Sequence, residues 1–151
     1  MCILDQPHQK SKKVQATNYH KSDQKMKLNL NILEGSFSIH RLSPNDEIPN
    51  QIFQNQFYSI TKTDEELSVV CASSIHLDSE RPETDWSCIK ILGPLDFSLT
   101  GILADISAVL AKAEISIFAI STFDTDYILI KSEKLQAAKK ALEQAEYTFK
   151  N

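Results

Sequence analysis

The 151-residue sequence predicts an α+β protein made of two tandem ferredoxin-like units, the first degenerate, with antiparallel sheets carrying helices on one face. Three observations lead there. Residues from Trp86 to Lys131 read in order as strand, polar loop, amphipathic helix, strand, acidic connection and strand. A second amphipathic helix and a short last strand follow, which completes a βαββαβ order. Segments of the first half also echo the second, Gly35 to Ile39 against Gly93 to Leu99 and Thr63-Asp64 against Thr125-Asp126.

Residues 1–25 stand apart from the rest. Lys, Gln and Ser dominate, apolar residues are sparse, and no helical or strand period can be traced. Such a segment cannot bury enough apolar surface to offset the entropy of ordering it, so a disordered tail is expected. From Lys27 to Ile32 the pattern alternates strictly, Leu28, Leu30 and Ile32 against Lys27, Asn29 and Asn31, as in a half-buried strand. Gly35 interrupts it. Phe37 and Ile39 then alternate with Ser36, Ser38 and His40, which the period assigns to solvent.

Pro44, Asn45 and Pro49 mark a loop. Residues 48–56 offer only Ile52 and Phe53 as an apolar face, enough for a short helix at most. Phe57 to Ile60 and Leu67 to Cys71 are strand-like and are joined through Thr63, Asp64, Glu65 and Glu66. The polar stretch from His76 to Asp85 reads as the link between a first unit over 26–85 and a second over 86–151.

In that second unit Ile89, Ile91 and Leu92 form a strand that stops at Gly93-Pro94. Leu99, Ile102, Leu103, Ile106, Val109, Leu110 and Ala113 then recur at three- and four-residue spacing, a continuous core-facing helical stripe. Asp96 or Ser98 has the chemistry of its N-cap. Ile115 to Ile120 and Tyr127 to Ile130 are strands, the latter apolar on both alternating faces and hence covered on both sides. Ser132-Glu133 opens a helix with Leu135, Ala138, Leu142 and Ala145 inward, and Tyr147 to Phe149 can form the final strand.

Composition narrows the function. A net charge of -4 and a pI near 5.5 argue against nucleic-acid binding, which needs a basic surface. No apolar run approaches the roughly 20 residues of a membrane helix, and the N-terminus has no apolar core of a secretory signal, so no membrane is expected and a cytoplasmic location is the default. Cys2, Cys71 and Cys88 form no CxxC pair, and with His8, His20, His40 and His76 they give no zinc-ligand spacing. Cys71 and Cys88 lie in apolar strands, as buried inert thiols do. No P-loop, dinucleotide fingerprint or nucleophile elbow is present. No metal, cofactor or enzymatic activity is expected.

The motifs GPLDFSLTGILADIS (Gly93 to Ser107), ISIFAISTFDTDYILIK (Ile115 to Lys131), GSFSIHRL and FYSITKTDEELSVVC resemble the ACT-domain superfamily, and more narrowly the tandem-ACT proteins related to the cytosolic arginine sensors. The resemblance spans Met26 to Phe149. It implies ACT-type units and a ligand, usually an amino acid, held where the loop after the first strand meets a neighbouring unit. Carried over, the loop is Gly93 to Gly101, with Asp96, Phe97, Ser98 and Gly101. The arginine-sensor relatives imply Ser121, Thr122, Phe123 and Asp126 as further contacts. Physically, a helix start offers N–H groups to a carboxylate, Asp96 could hold an ammonium, and Gly101 lets the backbone come close.

Plainer readings stand beside these. Asp96 and Ser98 suit a helix cap alone, Asp126 a turn, Phe123 packing on another subunit, Gly101 close helix–sheet packing, and Asp64 to Glu66 a solvated turn. The function the resemblance implies is a non-enzymatic regulatory module that binds a small molecule, a free amino acid, between ACT units, as a homodimer. The alternative is a ligand-free interaction or oligomerisation module that keeps the fold.

Overall fold

The computed structural model describes residues 28–93 and 101–150. The expected tail over 1–25 lies outside them, as do Asp96, Phe97 and Ser98. The architecture is α+β, an antiparallel-dominated sheet with two helices, as the periodicities predict.

The spine is the nine-residue strand β5 (Glu83–Ile91), which begins within the stretch that sequence reads as a link. Two strands precede it along one edge, β1 (Asn29–Ile32) and β2 (Phe37–Leu42). They lie end to end: Leu30 pairs with Ile91 and Ile32 with Ile89, while Phe37 pairs with Trp86. Between them the chain bulges from β5, and Gly35, at φ +91°, takes a backbone conformation that side chains disfavour. β2 continues into the first half through antiparallel pairing with β4 (Leu67–Ala72), and β4 with β3 (Ser59–Lys62).

On its other edge β5 pairs antiparallel with β7 (Asp126–Lys131), and β7 with β6 (Phe118–Ser121). The short β8 (Thr148–Phe149) runs parallel to β1 rather than against β5. β1 therefore sits between β5 and β8, inside the sheet that the second half builds.

The helices α1 (Ile102–Lys112) and α2 (Leu135–Gln144) cover one face of that sheet. Their inward Ile106, Leu110, Ala138 and Leu142 pack with Ile89, Ile91, Ile128 and Ile130, and with Leu30 of β1. Both helices end in the same way. Glu114 and Glu146 stand in the left-handed conformation, at φ +57° and +71°, and the following N–H reaches back to Leu110 or Leu142 at 3.0 Å. That is the motif in which glycine is the usual residue.

The opposite face carries Trp86, Cys88 and Leu129, and the first half folds against it through Phe37 and Val70. Phe57 is the bridge: its ring meets Phe37 edge-on at 5.5 Å and lies 4.6 Å from Tyr127. This supplies cover on both sides of β7, where Ile128, Leu129 and Ile130 are all inaccessible. Burial also pushes the Cys88 thiol up to about 12 and raises Cys71, which keeps both protonated and inert.

Two sequence readings need correction. The internal repeat lies in a different register from the one its residue pairs suggest. β3–turn–β4 and β6–turn–β7 have the same layout, a four-residue strand, a four-residue turn and a six-residue strand. Thr63 accordingly corresponds to Thr122, not Thr125. Both accept a hydrogen bond from a turn N–H, Glu66 to Thr63 at 3.0 Å and Thr125 to Thr122 at 3.3 Å.

The second correction concerns Ser38 and His40, which are buried rather than solvent-facing. Residues 73–79 fold back across that face with Ile75 and Leu77 buried beside Leu42 and Ile52. Ser38 Oγ lies 2.8 Å from Ser73 Oγ, and His40 Nδ1 lies 2.9 Å from Ser79 Oγ.

His40 Nε2 is buried and has no hydrogen-bond partner among the described residues. Burial first, and His76 second, hold its pKa below the ordinary 6.5. The unfolded chain then binds a proton more readily than the native one, so stability is fully present above the unfolded value and is lost as pH falls below it. The urea midpoint is expected to drop between about pH 7 and about pH 5, and to drop less in His40→Gln.

Candidate functional site

The two segments that sequence reasoning singles out converge on the end of β5. Beyond Ile91, the Leu92 N–H donates to Asn29 O at 2.8 Å, the last tie to the sheet before the exposed Gly93. The chain is described again at Gly101, which caps α1 in the left-handed conformation at φ +87°. The helix opens at Ile102 with Gly101 as its cap, a residue with no side chain to give a capping hydrogen bond; Asp96 and Ser98, the caps that the sequence suggests, lie outside the described residues. A Cβ added at Gly101 would meet nothing within 4 Å. Backbone conformation, not close packing against the sheet, is what calls for glycine there.

The other segment is the β6–β7 turn. Ser121 pairs with Asp126 at the mouth of the hairpin. Thr122 closes it: its N–H and its hydroxyl both donate to Thr125 O, each at 2.8 Å. The turn itself presents Phe123, 78% exposed, at its tip. Thr125 is the inward residue, 7% exposed, and its hydroxyl donates to Ile91 O. That bond ties the turn to the last residue of β5, from which the Gly93 to Gly101 loop departs.

Asp126 is half-buried and shares a face of β7 with Ile128 and Ile130, the face that the helices cover. Among the described residues no cation pairs with its carboxylate. The turn thus holds an anionic side chain and an exposed ring beside the last residue of β5, and α1, the next described element, opens with N–H groups that lack intrahelical acceptors. Asp126 has the charge for an ammonium, and the helix start the polarity for a carboxylate.

Elsewhere the bland readings prevail. Asp64 and Glu65 are exposed, and Glu66 pairs with Arg41 at 3.2 Å. Among the described residues no three His, Cys, Asp or Glu side chains gather as a metal would require. Sequence reasoning missed Thr125, the residue that connects the two segments. It also missed a cleft of about 840 Å³ between the halves, lined by Lys90 and Tyr127 on the face of β5 and β7 opposite Asp126 and, round the β8 edge, by Phe149 and by Lys139 of α2. The available signal was alternation, which places Lys90 and Tyr127 on one face with Trp86 and Cys88.

Comparison with known proteins gives the following. Residues 81–144 match a family model described as the ACT domain. Residues 35–75 match a second family model, described as an N-terminal domain. A crystal structure of a protein from Agrobacterium tumefaciens is similar, at 39% identity and TM-score 0.75, covering 82% of this chain and 92% of that one. A protein of unknown function from Vibrio cholerae shares the fold at 19% identity and TM-score 0.61, covering 80% and 91%. So does the ligand-free regulatory subunit of aspartate kinase from Thermus thermophilus, at 15% identity and TM-score 0.54, covering 76% and 96%. No curated protein matches the sequence.

Proposed function

Because the chain belongs to the ACT-domain superfamily, we propose that it is a regulatory module without catalytic activity that binds a free amino acid where the β6–β7 turn meets the end of β5. The observation that carries this reading is the Thr125 hydroxyl on Ile91 O, which holds the turn bearing Phe123 and Asp126 against the departure point of the Gly93 to Gly101 loop. Asp126 takes the ammonium. The carboxylate goes to the start of α1, with Asp96, Phe97 and Ser98 supplied by the loop and Ser121 and Thr122 by the hairpin. The fold likeness to a regulatory subunit of aspartate kinase is consistent with such a role.

Regulation follows from differential affinity: a ligand that bridges two ACT units stabilises the arrangement it binds better, by the difference in its binding free energies. Titration calorimetry of the full chain with each common amino acid is expected to give one saturable ligand. A complete panel without heat, on folded protein, contradicts the proposal.

The reading of a pure association module is favoured by one observation. β6 is an edge strand among the described residues, pairing β7 alone, and carries half-buried Phe118 and Ile120 beside the exposed Phe123. Such an edge is a template for pairing with a second copy. Sedimentation is expected to show a homodimer that dissociates on dilution and is weakened by Phe123→Asp. A monomer at all concentrations contradicts it.

A further inference from the structure

We propose that the cleft between the two halves is a second binding site, distinct from the hairpin turn, and that it takes small aromatic carboxylates. At about 840 Å³ it falls in the size range of small-molecule sites. It lies across the sheet from Asp126, because Tyr127, the neighbouring residue, points to the opposite face and lines it.

Its apolar wall is a run of three touching rings. Phe37 meets Phe57 edge-on at 5.5 Å, and Phe57 lies 4.6 Å from Tyr127 with the planes 34° apart. Phe57 and Tyr127 are only half-buried, so ring surface remains open for a planar guest. Phe149 contributes a further ring at the sheet edge.

The charge of the cleft is positive in a protein of net charge -4. Lys90, Lys139 and Lys150 line it against one carboxylate, Glu34. Lys139 has Glu143 at 4.0 Å. Lys90 has no carboxylate partner among the described residues; its ammonium stands 5.7 Å from the centre of the Tyr127 ring, its cross-strand neighbour. An ammonium beside an aromatic wall, on a half-buried lysine, matches a ligand with an anionic head on a ring. Asn31 lines the cleft too, and Asn55 Nδ2, which gives one hydrogen to Gln51 O at 2.9 Å, has a second for a carboxylate lone pair. With Lys139 paired to Glu143, Lys90 and Lys150 stand against Glu34, an excess of positive charge that selects against a free ammonium on the guest, so the site prefers a carboxylate without an amine to a zwitterion.

The test is titration of the full chain with phenylacetate, followed by calorimetry and by amide shifts in NMR. Saturable binding is expected, with shifts on β5, β7 and residues 55–57. Phenylacetamide, which keeps the ring and removes the charge, is expected to bind about tenfold or more weakly, and phenylalanine likewise. Lys90→Met is expected to cause a similar loss, and Lys90→Gln serves if that variant fails to fold. Failure to saturate at millimolar phenylacetate overturns the proposal, as does equal binding of the amide. Loss of phenylacetate in Asp126→Ala with Lys90→Met unaffected would place the guest at the hairpin turn and also overturn it. Phenylacetate and its amide lie outside the amino-acid panel, and phenylalanine is scored here only by shifts on β5, β7 and residues 55–57, so either site can fail alone.

Discussion

Leu30→Ala is expected to destabilise the protein by about 2–5 kcal/mol, although Leu30 lies far in sequence from the helices it supports. Its side chain is inaccessible and packs in the same cluster as Ile91, Ile106 and Leu142. Alanine would leave a cavity lined by strands on both sides and by the helices, with little freedom to collapse. The same geometry makes a stronger statement about truncation. A chain starting at residue 81 includes the whole segment matched by the ACT-domain family model, yet it lacks β1. One edge of β5 would then lose its partner, β8 would lose its only pairing among the described residues, and the core would lose Leu30. Such a fragment is expected to show no cooperative urea transition, while the full chain shows one. A fragment as stable as the full chain would mean that β8 can close directly on β5 without β1.

Trp86→Ala is expected to cost about 3–5 kcal/mol, measured by circular dichroism during urea unfolding because Trp86 is the sole tryptophan. Trp86 is 8% exposed and packs with Phe37, Val70, Cys88 and Leu129, where the first half meets the open face of the second. Lys131 lies 4.7 Å above its ring and is held by Glu83 at 2.8 Å and by Thr84 O at 2.8 Å. Alanine removes the ring and the surface on which that lysine rests. Trp86→Phe is expected to cost less than half as much. It keeps an aromatic in place, and it deletes a buried indole N–H that has no acceptor among the described residues, an unfavourable group in its own right. Equal costs for the two variants would contradict this account of the seam.

Much of the second half was legible because its periods are strong. The stripe from Ile102 to Leu110 reads as a helix and the continuous apolar run from Tyr127 to Ile130 as a strand covered on both sides, and both are observed. Alternation also told which face Leu28, Leu30 and Ile32 present, but it does not identify the strand they pair with. The placement of β1 between β5 and β8 therefore had no local signal. His40 and Ser38 were misread for a related reason: their cover, Ile75 and Leu77, comes from a segment too polar to suggest a packed element. At the candidate site Ser121, Thr122, Phe123 and Asp126 stood out only through the family resemblance. Thr125 did not, since its role is a hydroxyl reaching across to another strand's carbonyl. Asp96, Phe97 and Ser98 rest on resemblance alone.

The central claim is that the β6–β7 turn and the end of β5 form one amino-acid site with Asp126 as its anion. The most direct measurement is calorimetric titration of Asp126→Ala, in the full chain, with the amino acid that saturates the wild type. Loss of an ammonium contact of this kind is expected to weaken binding by about tenfold or more, with the circular dichroism spectrum unchanged. Undiminished affinity in folded Asp126→Ala protein would contradict the claim and place the ligand elsewhere on the molecule.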